Sequence, residues 1–358
     1  MPSPDGLVAP PHLLERYRDL LARPDELFPL TLGEGGTPLV HARRLGAALG
    51  LDHLYLKFEG TNPTGSFKDR GMVLAVNRAV TAGARMVVCA STGNTSASAA
   101  AYAAAAGLTC GVVLPAGKVA RGKLAQALAA GARLVTVAGN FDAALDGVRE
   151  LGASGDAVVV NSINPDRLEG QRTVAWEICD ALDGAPDAVA LPVGNAGNIT
   201  AAWRGFVAYD AAGRTDGRRP QMLGFQAAGA APIVNDAPVA EPETVATAIR
   251  IGNPASWAGA TAARDESGGL IESVTDQQIL AAQGDIARLE GVFCEPASAA
   301  SVAGVRQLAA SGRLERSATV VCILTGHGLK DPDTAPGEIG DAAPVEPTAQ
   351  AIRDALGG

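Results

Sequence analysis

Basic residues are in short supply in this chain of 358: Lys+Arg number 29 against Asp+Glu 38, a net charge of −9. A partner bound through its phosphate backbone calls for a concentrated basic face, so the balance argues against nucleic acid. Aromatic residues make up 4%, too few for stacking platforms along a single strand. Cysteine is limited to Cys89, Cys110, Cys179, Cys294 and Cys322, mostly in apolar runs such as VVCA and VVCIL and without a CxxC pair. That pattern supports neither a zinc site nor a disulfide framework and reads as small buried hydrophobes in a reducing cytosol. The histidines (His12, His41, His53, His327) are far apart and form no HExxH, against a metallohydrolase. GxGxxG and GxxxxGK[ST] are missing too, which weakens the case for a non-catalytic nucleotide-binding protein. The chain opens without a basic segment leading into an apolar core. Its most apolar stretch, SASAAAYAAAAGLTCGVVLP, carries Ser, Thr, Gly and Pro and reads as helix–turn–strand rather than a membrane span. The expectation is a soluble cytoplasmic protein with a small-molecule substrate and no membrane partner.

What the chain does have is apolar mass: 47% hydrophobic against 19% charged residues, and at about 150 residues per domain a length for two domains. Short β-branched runs alternate with Ala-rich helical stretches. Strands are expected at 53–59, 85–90, 109–115, 133–138, 157–161, 187–193, 222–227, 270–275 and 318–325. Helices are expected at 11–22, 71–81, 95–106, 119–130, 141–152, 168–182, 197–212, 276–290 and 297–310. A surface loop at 331–345 should precede a last short helix. Strands without polar alternation, each followed by a helix, mean parallel sheets covered on both faces. The fold class is therefore α/β: two domains with mostly parallel sheets flanked by helices. Residues 60–162 would form the smaller domain; 1–59 and 163–358 would fold together as the larger.

Ligands of open α/β sheets bind at the carboxyl ends of strands, and three strands here end in unusual polar turns. MVVCA runs into STGNTSAS (Ser91, Thr92, Gly93, Asn94, Thr95). AVALPV runs into GNAGN (Gly194, Asn195, Ala196, Gly197, Asn198), and VVCIL into TGHG (Thr325 to Gly328). Each opens a helix, whose unpaired N–H groups suit an anion. Ordinary N-capping would account for any one of them; three at equivalent positions point to a site. Lysine is rare, five residues against 24 arginines. Lys68, in GTNPTGSFKDRG, stands at a helix start where its charge opposes the helix dipole. That placement suits an amine needed in neutral form, as an imine requires.

The run NPTGSFKDRG resembles the pyridoxal-phosphate lysine motif of the tryptophan synthase β-type (fold type II) enzymes. STGNTSASAAAYAA, SINPDRLEGQ, PVGNAGNI and TGHGLKDP together resemble the threonine synthases, in the family's order, from GEGGTPLV to TGHGLKDP. The resemblance implies that Lys68 forms the imine with pyridoxal 5'-phosphate and that Asn94 bonds the cofactor's phenolic oxygen. Gly194, Asn195, Ala196, Gly197 and Asn198 would hold its phosphate, and Thr325 would face the pyridine nitrogen. Ser91 and Thr92, in the STGNT turn, would take the substrate carboxylate; Thr95, Ser162, Arg167 and Asn195 would surround its phosphate. The implied reaction turns O-phospho-L-homoserine and water into L-threonine and phosphate by γ-elimination and β-addition of water, with Lys68 as base and acid. A hydroxyl at Thr325, unlike a carboxylate, does not by itself keep the pyridine nitrogen protonated, although γ-elimination needs a well-stabilised carbanion. Serine/threonine dehydratases and cysteine synthases share the Lys68 motif and are the alternative. The family implies a homodimer.

Overall fold

The computed structural model describes residues 12–91, 93–116, 121–138, 141–334 and 344–356; Thr92 and much of the expected loop at 331–345 lie outside them. The strands are β1 (Leu39–His41), β2 (His53–Phe58), β3 (Met86–Ala90), β4 (Thr109–Pro115), β5 (Arg133–Val137), β6 (Val158–Val159), β7 (Ala188–Pro192), β8 (Gln221–Ala227), β9 (Leu270–Val274) and β10 (Thr319–Leu324). They form a six-stranded sheet, β1-β2-β10-β7-β8-β9, and a four-stranded one, β5-β4-β3-β6. Every pairing is parallel except that of β1 with β2. All five residues of β7 are buried, as expected of a parallel strand covered on both faces. The chain is thus an α/β protein.

The helices are α1 (Leu13–Arg16), α2 (Arg43–Leu49), α3 (Lys68–Thr81), α4 (Asn94–Ala105), α5 (Arg121–Ala129), α6 (Phe141–Ala153), α7 (Pro165–Gln171), α8 (Thr173–Leu182), α9 (Gly197–Ala211), α10 (Trp257–Glu266), α11 (Asp276–Glu290), α12 (Pro296–Ala310) and α13 (Ala349–Ala355). The long ones fall where periodicity predicts them. The helix expected at 11–22 breaks: α1 ends at Arg16, Tyr17 leaves the helical region (φ −118°), and a short 3-10 turn follows at Arg18–Leu20. Leu13, Leu14, Tyr17 and Leu21 are buried all the same, while the Tyr17 hydroxyl donates to Asp180 at 2.7 Å. The helix expected at 168–182 is two helices, and the first begins early, at Pro165. Asn164 caps it, its side chain accepting from the N–H groups of Asp166 and Arg167, with proline at the first turn where no N–H is missed. Periodicity misses α10 because it buries only Ala260 and Ala263, leaving no apolar stripe to detect.

A charged residue in a strand usually marks the solvent side, and Lys57 of β2 breaks that rule. It is 2% exposed and donates to Thr37 O at 2.7 Å and to Glu177 of α8 at 2.8 Å. Arg70 of α3 completes the group, donating to Glu59 and to Glu177, each at 2.6 Å. Two cations and two carboxylates cancel, so no net charge is buried. Burial alone would raise the Glu177 carboxyl; Arg70 and Lys57 overcome it and hold it far below the usual carboxylate range. The network ties β2, the first turn of α3 and α8 into one block, which fixes where α3 begins.

Candidate active site

Lys68 is the first residue of α3, and the loop before it is pinned on both sides. Phe67 N donates to Thr325 O at 2.9 Å and His327 N to Gly65 O at 2.9 Å, so the NPTGS loop lies along the TGHG turn. Asp69 accepts from Thr64 N and Oγ1 at 2.7 and 2.6 Å and from Ser98 of α4 at 2.6 Å. Phe67 and Asp69, motif residues without a chemical role in the sequence reading, thus position the lysine. Its ammonium nitrogen lies 4.2 Å from the centroid of the Phe67 ring. Burial lowers the amine to about 7 and the charge of Arg167 adds to this, opposed by Glu295. The depression expected from sequence is present, with burial and a neighbouring guanidinium as its causes.

Two of the polar turns meet beside this amine, and the third joins the loop before α7. After β3, Asn94 at the start of α4 donates to Glu295 at 3.1 Å. After β10, Thr325 donates to the same carboxyl at 3.2 Å. After β7, Asn195 donates through Nδ2 to Ser162 in a very short hydrogen bond and accepts from Ala255 N at 2.6 Å. The structure therefore joins Asn94 to Thr325 through Glu295, and Asn195 directly to Ser162. Ser91 and Thr95 are half-buried beside Asn94; no hydrogen bond among the described residues links Thr95 to Ser162, Asn195 or Arg167. Arg167 is fully buried in α7, not a surface charge. Its Nη1 donates to Val160 O at 3.0 Å, while Nε and Nη2 have no partner among the described residues. Burial pulls it down to about 10, so it is still a cation at neutral pH.

The GNAGN turn has two features of its own. Ala196, just before α9, has φ +63°, a left-handed conformation uncommon for a residue with a side chain and often found at functional sites. Gly194 is needed for packing rather than for ligand approach, since a Cβ there would lie 2.9 Å from Ile249 Cα. Gly197 meets only ordinary contacts. Asn198, in the first turn of α9, is buried with Nδ2 unpartnered among the described residues, as is Ser66 Oγ two residues before Lys68. Buried donors without partners cost free energy, and a bound anion would satisfy each of them. Together with an amine that is substantially neutral near pH 7, the Asn94 amide at a helix start, and the Thr325 hydroxyl, these residues fit pyridoxal phosphate.

The sequence reading missed Glu295 and Lys330. Glu295 follows Cys294 and precedes Pro296, so CEPAS reads as a plain helix start. Lys330 donates to Thr64 O at 3.1 Å and, in a very short hydrogen bond, to Gln126 of α5, bridging the elements of the two sheets. Its position five residues past Thr325 was the available signal.

The strand-end turns and the buried lysine define an α/β enzyme built around a lysine-held cofactor, and the description "Pyridoxal-phosphate dependent enzyme" matches residues 30–326. The fold is similar to that of threonine deaminase from Solanum lycopersicum (TM-score 0.69, 23% identity, 81% of this chain and 79% of that one) and of maize serine racemase (TM-score 0.69, 22% identity, 82% and 88%). Among curated relatives, threonine synthase of Mycobacterium leprae is 55% identical over 97% of this chain and 96% of its own. That of Halalkalibacterium halodurans is 57% identical over 90% of each, and that of Synechocystis 53% over 96% and 90%. The chain belongs to the threonine synthases of the pyridoxal-phosphate-dependent family.

Proposed function

We propose that this protein converts O-phospho-L-homoserine and water into L-threonine and phosphate, by γ-elimination followed by addition of water at Cβ. The observation that carries the reading is Arg167, a buried guanidinium with two nitrogens unpartnered among the described residues, set in the field of an amine lowered to about 7. A phosphorylated amino acid uses both groups. Plain serine or threonine would leave the guanidinium buried without its anion, at a cost.

Pyridoxal phosphate, when bound, supplies the electron sink that makes the protons at Cα and then Cβ acidic. Lys68 Nζ would hold that group at its aldehyde carbon, and the same amine would take the proton from the substrate Cα and later return one there. Asn94 Nδ2 bonds the phenolic oxygen and Thr325 faces the pyridine nitrogen. Gly194 to Asn198 hold the cofactor phosphate at the start of α9, where the helix N–H groups and dipole favour an anion. Ser91 and Thr92 take the substrate carboxylate. Thr95, Ser162, Arg167 and Asn195 hold the substrate phosphate until it leaves Cγ, Arg167 offering the fork that suits it. Residues 60–162 form a smaller domain that closes on the larger one, 1–59 and 163–358, and excludes water. The Asn94–Glu295 and Lys330–Gln126 hydrogen bonds across this division support that arrangement. The protein works as a cytoplasmic homodimer; the burial of all five free cysteines suits a reducing compartment, and among the described residues no helix is long and apolar enough to cross a membrane.

The test is phosphate release from O-phospho-L-homoserine with added pyridoxal phosphate, with threonine as co-product. Ammonia and a 2-oxo acid from L-threonine, with no phosphate from the first substrate, would make it a dehydratase instead.

A further inference from the structure

Glu295 precedes α12 without capping it: its side chain makes no bond to that helix's own N–H groups. The carboxyl is instead 3% exposed in the cleft, where one oxygen accepts from Thr325 Oγ1 at 3.2 Å and the other from Asn94 Nδ2 at 3.1 Å. Ser298, in the first turn of α12, lies against the same hydroxyl, Oγ to Oγ1 3.1 Å, and itself accepts from Gly326 N at 3.0 Å. The carboxyl is packed on Gly326, whose Cβ, if present, would lie 2.6 Å from it. Glu295 thus touches both protein groups that the proposed function assigns to the edge of the cofactor ring.

A threonine hydroxyl has one proton to give. Spent on Glu295, it leaves only a lone pair for any group opposite. Resting on the placement of Thr325 at the pyridine nitrogen in the proposed function, we propose that Glu295 is a positioning residue: by taking the Thr325 proton it makes that hydroxyl an acceptor and so keeps a proton on the ring nitrogen. No proton is transferred. The ring N–H donates to Thr325 Oγ1, the Thr325 O–H donates to Glu295 Oε1, and the balancing negative charge sits one hydroxyl away from the ring. Burial raises the Glu295 carboxyl overall, against Asn94, Lys330, Thr325 and Lys68; the geometry, with the Asn94 amide and the Thr325 hydroxyl both donating to it, is that of a carboxylate acceptor. A neutral Glu295 would reverse the chain, donating to Thr325 and freeing the threonine proton for a bare ring nitrogen. The ionised arrangement resolves the conflict between a hydroxyl at this position and a reaction that needs a deep electron sink.

The experiment reconstitutes the full chain, and its Glu295→Gln and Thr325→Val variants, with pyridoxal phosphate labelled with nitrogen-15 in the ring, and reads that nitrogen by NMR. The wild-type signal is expected in the pyridinium range, and Glu295→Gln is expected to move it to the free-pyridine range with the cofactor still attached to Lys68. A wild-type signal already in the free-pyridine range overturns the proposal without any variant. Equal signals in wild type and Glu295→Gln, with Thr325→Val shifted, overturn the role of Glu295 and keep the placement of the ring. A signal unmoved by Thr325→Val removes that placement, and the proposal with it.

Discussion

The amine of Lys68 has few ways to be charged cheaply where it lies. Burial and Arg167 both disfavour the ammonium and Glu295 favours it, with the balance at about 7. Below that pH the amine carries a proton and cannot attack an aldehyde; above it the lone pair is free. The rate of cofactor loading onto the cofactor-free protein should therefore rise with pH to a plateau, with a midpoint near 7 rather than at the ordinary lysine value, read by stopped-flow absorbance. Lys68→Ala should lose covalent attachment while unfolding as cooperatively as wild type. At Arg167 the expected loss is of a different kind. A hydrogen bond to a charged group contributes about 1.5–3 kcal/mol, so Arg167→Ala should raise KM for the phosphorylated substrate by roughly 10- to 100-fold. Its cofactor absorbance should persist, and a variant that keeps its KM would remove Arg167 from the phosphate site. Lys68, Asn94 and Thr325 could be singled out in the sequence because each stands in a distinctive turn. Glu295 was not, since nothing within four residues of it distinguishes a cleft carboxyl from a helix-start glutamate.

Two elements carry the site's charged ends, α3 with Lys68 and α7 with Arg167, and they cross at a pair of glycines. A Cβ on Gly170 would lie 2.2 Å from Arg70 O, and one on Gly71 2.5 Å from Arg167 O. Backbone cannot yield as a side-chain tip does, so Gly170→Ala must push the helices apart. Overpacking of this kind costs about 1–3 kcal/mol, and the separation should depress turnover beyond what the lost stability explains, checked by urea unfolding beside steady-state kinetics. The buried network behind α3 gives a larger effect. Arg70→Ala leaves Glu59 short of its guanidinium and Glu177 with Lys57 and the Gly36 N–H; breaking a buried ion pair in this way costs roughly 3–5 kcal/mol, which the midpoint of denaturant unfolding should register. Reading α3 from its sequence places the helix but not this network, because Lys57, Arg70 and Glu177 look like solvent-facing charges until β2, α3 and α8 are packed together.

Considered whole, the molecule sets its catalytic groups on turns from both sheets, so the cleft between them should respond to substrate. Closure of residues 60–162 on the remainder predicts a smaller radius of gyration by X-ray scattering when the holoenzyme holds a non-reacting phosphonate analogue of the substrate than when it holds none; an unchanged radius would count against closure. Sedimentation equilibrium should return twice the chain's mass for the proposed homodimer. The alternation of apolar runs with Ala-rich helices was enough to predict parallel sheets and to put the polar turns at strand ends, because both are local properties spanning a few residues. Which turns meet was decided by strand order. Arg70 and Glu177 stand 107 positions apart, and Asn94 and Glu295 stand 201 apart. The partnering of a buried charge belongs to such pairs rather than to either residue, so it came into being only when the two sheets were folded and β10 was laid between β2 and β7.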